Sequence, residues 1–206
     1  MDFPIEFENL TIENIEGLPK PEQLDLELPD DSGEIELDLE LPDDSGNWET
    51  TEYKDDGGIV YKVGNELLPD INYELNGYSY QTDGFSRIVS AEGTLQQKDH
   101  EGRLPLKDSI EIVGRGEAKD SDDRGHLIGD QFNGANDIGN LVAQDARVNR
   151  NDVKNLENEL ARCVEDGKDV QYKVDVLYEG ESGRPAAFVI SYSVDGIQQL
   201  RIFSNA

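Results

Sequence analysis

The chain has 206 residues and a formal net charge of −28, which is enough for one domain with a sizeable core and an additional segment. It contains no run of about 20 apolar residues that could cross a bilayer, and its start, "MDFPIEFENL", lacks the basic and apolar regions of a signal peptide. The lack of such segments predicts no membrane partner. The single cysteine, Cys163, excludes an internal disulfide.

Residues 1–47 carry about half of the net charge, with 16 Asp and Glu against one Lys. The sequence "LDLELPDDSG" occurs there twice, at 24–33 and 37–46. Alternating leucines and acids before a Pro-Asp-Asp-Ser-Gly turn are typical of a short strand, but two short strands are marginal without a partner. We therefore predict a solvated acidic tether, and the alternative is a strand that pairs with an exposed sheet edge.

From Trp48 onward the composition is that of a folded domain, which we predict over 48–206. Segments rich in Val, Ile, Tyr and Phe between Gly and Asp residues predict strands. They are "GIVYKVGNE" (58–66), "FSRIVSAEGTL" (85–95) and "DSIEIVGRG" (108–116).

The segment "SDDRGHLIGDQFNG" (121–134) is predicted to be a catalytic loop. A histidine beside a hard cation can promote phosphodiester hydrolysis, and His126 is the obvious base. Magnesium needs only one or two protein oxygen ligands. Asp130 is either a second acid near the cation or an exposed turn residue, and His100 is predicted to be exposed and structural.

The segment "NRNDVKNLENELARCVEDGK" (149–168) predicts a helix, with Asn or Asp caps before it and Gly167 after it. Its apolar residues recur at helical spacing: Val153, Leu156, Leu160, Cys163 and Val164. After it, "VQYKVDVLYEG" (170–180) alternates as strands do, and Asp195-Gly196 predicts a tight hairpin. Grouped strands around one main helix favour an α+β domain with a mainly antiparallel sheet.

The motif spacings resemble those of a known family. "DRGH" is followed by "NLVAQ", by an asparagine nine residues after Asn140, and by a glutamate eight residues later. This pattern closely resembles the DNA/RNA non-specific endonucleases of the ββα-metal (His-Me finger) superfamily, in particular the bacterial branch of secreted nucleases and polymorphic toxins. "ELNGYSYQTDGFSRIVSAEGTL" resembles the entry hairpin of that branch, so the resemblance runs from about Tyr73 to about Ser193.

The resemblance implies a ββα-metal finger and a role for each matched residue. His126 would be the general base, and Asn149 would be the protein ligand of Mg²⁺, for which Mn²⁺ is a potential substitute. Glu157 would hold metal-bound water, and Asn140 would orient the loop or the histidine. In an ideal helix, positions eight apart differ by about 12 Å along the axis and about 80° around it. Asn149 and Glu157 therefore cannot both bind one ion directly from a regular helix.

The remaining matched residues are predicted to contact substrate or support the motif. Arg124 is grouped with His126, Asn140 and Glu157 as a catalytic residue, and it would contact phosphate or support the catalytic loop. Arg87 is the candidate for an upstream transition-state arginine. Arginines that flank the motif would supply local positive potential along the cleft. They are Arg103, Arg115, Arg124, Arg147 and Arg150. Asp123, Gly125 and Gln144 are predicted to support the motif.

The expected function is that of a magnesium-dependent endonuclease of DNA and RNA with little sequence specificity, as a toxin or secreted nuclease domain. The chain would be cytoplasmic before export, and a cognate inhibitor or immunity protein is a candidate partner. Two alternatives remain open. The first is a binding or regulatory protein that retains the nuclease fold while its acidic repeat engages a partner. The second is an enzyme inhibited by its own acidic segment as a nucleic-acid mimic.

Overall fold

The computed structural model describes residues 51–102 and 104–206. The predicted acidic tether, its repeat, the domain boundary near residue 47 and Arg103 lie outside the described residues. Within those residues, no helix is long and apolar enough to span a membrane.

The strands and helices of the described residues fall into two consecutive groups along the chain. The first group comprises β1 (Glu52–Lys54), β2 (Val60–Val63), β3 (Glu66–Leu67), β4 (Asn72–Leu75), β5 (Tyr78–Thr82), β6 (Ile88–Thr94) and α1 (Ile110–Val113). The second comprises β7 (Asp122–His126), a 3₁₀ turn (Asp130–Phe132), β8 (Leu141–Asp145), a π-helical segment (Val148–Val153), α2 (Lys154–Glu165), β9 (Val170–Tyr178), β10 (Pro185–Val194) and β11 (Ile197–Ser204).

The strands form three antiparallel sheets in the part of the chain that the structure describes. The largest has six strands in the order β11-β10-β9-β6-β5-β4, and the others are β1-β2-β3 and the pair β7-β8. The prediction of an α+β domain with mainly antiparallel sheet is confirmed. The predicted hairpin is also confirmed, because Asp195 and Gly196 join β10 to β11 with positive φ angles of 49° and 84°.

The catalytic motif lies in an excursion between two neighbouring strands of the large sheet. Strand β6 pairs directly with β9, for example through Ser90 and Asp175, so the residues between these strands leave the sheet and return to it. The excursion contains β7, β8 and α2 in the order ββα. Buried side chains on the inner face of the helical region, Val153, Leu156 and Leu160, hold it against the protein, as the helical spacing predicts.

Three local predictions are wrong. Residues 108–116 form no strand, because Ser109 accepts a hydrogen bond from Ile112 N and begins the short helix α1. The first part of 121–134 is strand rather than loop, because Asp122–His126 pairs with β8. Helix α2 has no Asn or Asp cap, since its backbone continues directly from the π-helical segment.

Candidate active site

Strand β7 holds the DRGH motif against β8. Across the pair, Asp123 lies opposite Gln144 and His126 lies opposite Leu141. A Cβ at Gly125 would lie 2.3 Å from Gln144 Oε1 and 2.7 Å from Gln144 Cβ. Only glycine therefore leaves room for the Gln144 side chain, which is 2% exposed. Gly125 and Gln144 shape the strand pair on which the site is built.

His126 ends β7, and its imidazole contacts an asparagine of the following loop. His126 Nε2 lies 2.9 Å from Asn136 Oδ1. Asn136 is buried, and its Nδ2 faces Asp130 Oδ1 and Gly134 O, each at 3.4 Å. Asn136 was not among the predicted site residues. The structure thus gives the His126 imidazole a polar partner, Asn136, that is not part of the sequence motif.

Asn140 stabilises the loop that follows β7. It is fully buried, its Oδ1 accepts a hydrogen bond from Ile128 N, and its Nδ2 donates to Ile128 O and Ala135 O, all at 2.8–2.9 Å. Every polar atom of this amide is used within the loop. These contacts are compatible with the loop-orienting role, one of the two that the resemblance left open for Asn140, and its role in the site stays a prediction.

Asn149 lies in the π-helical segment, where Asp123 holds its amide. Asn149 Nδ2 donates to Asp123 Oδ2 at 3.0 Å. The same carboxylate accepts two hydrogen bonds from Arg150, at 2.6 and 2.8 Å, which raise the pKa of the Arg150 guanidinium. Because a carboxylate only accepts, the amide nitrogen must face Asp123, and Asn149 Oδ1 is left as the acceptor of that amide.

The π-helical winding reduces the angular part of the geometric obstacle to a shared site. Each residue of an i→i+5 turn advances through a smaller angle than the 100° of an α-helix, so the 80° offset expected between positions eight apart is reduced. Asn149 precedes the first turn of α2, and its side chain lines the same cavity as that of Glu157. Such π-helical turns occur frequently at functional sites.

Glu157 lies against the loop that follows β7. Gln131 Nε2 donates to Glu157 Oε2 at 3.3 Å. A Cβ at Gly129 would lie 2.5 Å from Glu157 Oε1. The absence of a side chain at Gly129 therefore allows the carboxylate to approach the loop backbone.

One cavity of about 530 Å³ gathers most of these groups. It is lined by Lys98, Gly102, His126, Asp130, Gln131, Asn149, Arg150, Lys154 and Glu157. Four predicted site residues, His126, Asn149, Arg150 and Glu157, thus meet in one place. Asp130, which the sequence left open between a site acid and an exposed turn residue, lines the cavity with its side chain 13% exposed.

Two predicted arginines do not line this cavity. Arg87 is 9% exposed, its Nε and Nη2 donate to Asp83, and its Nη1 donates to the carbonyls of Gly180 and Ser182. Its guanidinium also stacks on Tyr178. Every nitrogen of the guanidinium thus has a partner within the protein, and a substrate contact by Arg87 stays a prediction. Arg124 donates to Asp108 O and lines a neighbouring cavity of about 260 Å³ with Asn149 and Arg150.

The cavity also contains cationic groups that sequence reasoning missed. Lys154 lies three residues before Glu157 and therefore on the same helix face, a spacing that could have identified it. Lys98 comes from the segment after β6, and no pattern links it to the motif. His100, predicted to be exposed, has its side chain only 18% exposed, with Nε2 3.9 Å from Asp130.

The oxygen donors at the cavity fit a sparsely ligated hard cation. Asn149 offers an amide oxygen and Glu157 a carboxylate, which are ligand types that magnesium accepts while it keeps several waters. Among the described residues there is no group of three or more His, Cys, Asp or Glu side chains arranged to hold a metal ion. The donor set is therefore small.

Comparisons with known proteins match more than half of the chain to a described family. A family model described as DNA/RNA non-specific endonuclease matches residues 69–196. The type VII secretion system protein EssD of Staphylococcus aureus strain USA300 is 35% identical over 133 residues, which cover 55% of this chain and 22% of EssD. The chain thus spans about a fifth of the length of this curated relative.

Two solved structures resemble the chain. NucA from Streptococcus agalactiae, solved with magnesium ion bound, is 18% identical with a TM-score of 0.49, over 70% of this chain and 78% of NucA. Sda1 nuclease, solved with bound zinc ion, is 19% identical with a TM-score of 0.49, over 63% of this chain and 73% of Sda1.

Proposed function

The chain belongs to the DNA/RNA non-specific endonuclease family, and from this premise we propose that it is a magnesium-dependent endonuclease that hydrolyses phosphodiester bonds of DNA and RNA. The observation that carries the proposal is the cavity shared by His126, Asn149 and Glu157. A general base, an amide oxygen for a hard cation and a carboxylate for water are the groups that this hydrolysis requires.

The side chains have distinct tasks in this proposal. His126 would take the proton of the attacking water. Asn149 Oδ1 would hold Mg²⁺ and Glu157 would hold its bound water, while Asp123 fixes the orientation of the Asn149 amide. When bound, the cation stabilises the charge that develops on the phosphoryl oxygens. Manganese is the expected substitute because it accepts the same oxygen ligands.

Local positive charge explains how an acidic protein can bind a polyanion. Arg150, Lys154 and Lys98 line the cavity, although the whole chain has a net charge of −28. Binding of a phosphate backbone depends on the potential at the contact surface, and contacts to phosphates carry no sequence information. Cleavage with little sequence preference follows from such contacts.

We extend the proposal to the setting in which the enzyme acts. EssD is a type VII secretion system protein, which supports the proposal that this chain is exported as a secreted nuclease or toxin domain. A nuclease that is made in the cytoplasm endangers its own cell, so a cognate inhibitor protein is the partner we expect before export.

The decisive experiment measures cleavage of plasmid DNA and of RNA with magnesium, with manganese and with EDTA. We expect cleavage with either cation and none with EDTA. His126→Ala should lose at least about 100-fold in rate, the scale for removal of a general base, without loss of the fold. Circular dichroism and thermal melting serve as the folding control. Near-normal cleavage by folded His126→Ala would refute the assignment, and nucleic-acid binding without cleavage would favour a binding protein that retains the fold.

A further inference from the structure

A second cavity adjoins the cavity that holds His126. It has a volume of about 420 Å³, which lies within the range of small-molecule sites, and we call it the side cavity. Lys98, Gly102 and Gln131 belong to the walls of both cavities, so the two lie next to each other. The hydrolysis proposed above assigns no task to the side cavity.

Helix α2 lines both cavities with a single stripe of side chains. Lys154 and Glu157 line the first cavity, and Ala161, Val164 and Glu165 line the side cavity. Steps of three and four residues keep a stripe on one face of a helix. Ala161 and Val164 lie about 6 and about 10 Å beyond Glu157 along the helix axis. The shorter of these distances is one that a nucleotide spans between its phosphate and its base.

The side cavity combines an apolar surface with carboxylates. Ala161 and Val164 are partly buried and pack against the hydrophobic core. Glu101 and Glu165 line the side cavity but not the first cavity. Their carboxylates can only accept hydrogen bonds, and their charge repels a phosphate group. A ligand of the side cavity should therefore carry apolar surface and hydrogen-bond donors rather than negative charge.

Basic side chains lie where the two cavities meet. Lys98 Nζ donates to Gly102 O and lies 3.7 Å from the Asp130 carboxylate. His100 Nε2 lies 3.9 Å from the same carboxylate, and Asp130 belongs to the first cavity. A nucleotide that binds its phosphate in the first cavity therefore meets basic groups before its base reaches the side cavity.

A nucleobase fits the chemistry of the side cavity. Its flat faces can stack on nonpolar surface, and its edge carries hydrogen-bonding groups. Cytosine, adenine and guanine have an exocyclic amino group that donates to a carboxylate, whereas thymine and uracil have a carbonyl oxygen where cytosine has this group. That carbonyl oxygen and the carboxylates of Glu101 and Glu165 are all acceptors. The carboxylates therefore favour a base with an amino group.

We propose that the side cavity is a subsite for one unpaired nucleobase beside the cleaved phosphodiester, with a preference for bases that carry an exocyclic amino group. The inference rests on the proposed function and names single-stranded nucleic acid as the favoured substrate class. A base within a duplex is stacked and paired, so it must leave the stack before it can enter a protein cavity. One subsite with a modest preference agrees with cleavage of little sequence specificity.

Binding of short oligonucleotides tests the subsite without reference to cleavage. The probes are fluorescent octamers of deoxycytidine and of deoxyuridine, which differ only in the base, titrated by fluorescence anisotropy in EDTA. We expect the Kd of the deoxycytidine octamer to be about five-fold lower than that of the deoxyuridine octamer. A ratio of less than about two-fold in the native protein would overturn the proposal.

Val164→Trp fills the apolar part of the side cavity with a larger side chain. We expect it to bind the two octamers with Kd values within about two-fold of each other, and to bind a DNA duplex as the native protein does. Asn158→Trp, at an exposed position of the same helix, is the matched control and should keep the native ratio. Equal weakening of duplex and octamer binding by folded Val164→Trp would show a groove for the backbone and overturn the base subsite.

A second variant removes the carboxylates and keeps the shape of their side chains. Glu101→Gln combined with Glu165→Gln should reduce the ratio of the two Kd values to less than about two-fold, because amides donate as well as accept. Glu159→Gln combined with Glu179→Gln removes the same charge from exposed positions and should keep the native ratio. This pair of variants decides the question even if Val164→Trp does not fold, and circular dichroism shows which variants are folded. A native ratio in the folded Glu101 and Glu165 variant would contradict the proposal.

Cleavage separates this inference from the proposed function. With magnesium, kcat/KM should follow the same preference for the deoxycytidine octamer. The expected Kd ratios in a protein that cleaves neither DNA nor RNA would refute the proposed function and support the base subsite. Cleavage of both octamers at equal kcat/KM, with equal Kd values, would support the nuclease and refute the subsite.

Discussion

At the scale of single residues, groups that do not line the cavity determine where its side chains lie. Asp123 of the DRGH motif binds the amide of Asn149 and the guanidinium of Arg150. Gly129 has no side chain and so leaves room for Glu157. Each of these contacts yields a prediction.

Asn149→Ala should abolish turnover or raise the magnesium concentration required for half-maximal cleavage, because the cation loses its amide ligand. The check is a magnesium titration of cleavage for the native and variant proteins. Asn151→Ala, an exposed asparagine of the same π-helical segment, is the matched control and should titrate as the native protein does. An unchanged titration for Asn149→Ala would move the ligand to another oxygen of the cavity.

Gly129→Ala should reduce kcat by about 10-fold or more while it changes the melting temperature little. Gly129 has φ −60° and ψ 149°, which alanine adopts without strain, and the three atoms nearest to the new methyl group all belong to the end of the flexible Glu157 side chain. The loss in kcat then reports displacement of that carboxylate from the site. Gly57→Ala, where a Cβ meets its nearest neighbour at an ordinary 3.5 Å, is the control. Equal kinetics for both alanine variants would show that the position of Glu157 does not matter.

At the scale of elements, the ββα unit is attached to the large sheet by a buried ion pair. Asp122 begins β7, and both its carboxylate oxygens accept from Arg184, which lies just before β10, at 2.7 and 2.8 Å. The Asp122 side chain is fully buried and that of Arg184 is 10% exposed. Arg184 also donates to Asn205 O after β11, so one guanidinium joins the first strand of the unit to the end of the sheet.

Asp122→Asn should lower the free energy of unfolding by about 3–5 kcal/mol, because it leaves a buried guanidinium without its counter-charge. Burial alone would raise the pKa of Asp122, but the hydrogen bonds from Arg184 and Lys119 N outweigh it and hold that pKa below 3.8. A depressed carboxylate pKa contributes stability above the pKa of the unfolded chain, about 3.9, and this contribution disappears as pH falls through the folded value. The difference in the free energy of unfolding between the native protein and Asp122→Asn should therefore be largest near pH 7 and decrease below about pH 4.

Urea unfolding at several pH values measures this difference. Asp152→Asn, which removes an exposed ion pair with Arg147, is the control and should change stability by less than about 1 kcal/mol at every pH. A difference between Asp122→Asn and the native protein that stayed constant down to pH 2 would contradict the role of the ionised carboxylate.

At the scale of the whole molecule, the net charge would repel a polyanionic substrate. Residues 1–47 contribute a net charge of −15 to the total of −28. Salt weakens such repulsion, because the Debye length falls to about 10 Å at 0.1 M salt.

Deletion of residues 1–47 should raise the cleavage rate modestly at low salt, and the two proteins should converge as salt increases, if the segment is a solvated tether. Initial rates on plasmid DNA over a salt series measure the effect. A several-fold decrease in the apparent substrate constant that persisted at moderate salt, together with inhibition by the isolated segment added in trans at micromolar concentration, would contradict the tether and favour a nucleic-acid mimic.

The amino-acid sequence by itself determined the family, the α+β class, the buried face of α2 and the hairpin at Asp195-Gly196, because these depend on residue spacing along the chain. It also predicted His126, Asn149, Arg150 and Glu157 as site residues, and all four line one cavity. Only the tertiary structure decided what surrounds them. Local propensity could not exclude a strand at 108–116, because one N-cap at Ser109 changes the outcome over four residues.

The π-helical winding before α2 and the contact of Asn136 with His126 also required the fold. The winding changes which side chains share a helix face, and the contact joins residues ten positions apart through a loop that Asn140 stabilises from inside. Arg87 shows the reverse case, since its position in "FSR" suggested a substrate contact and the fold uses every nitrogen of its guanidinium within the protein. A residue type indicates which chemistry is available, and the partners that the fold supplies decide whether that chemistry reaches the substrate.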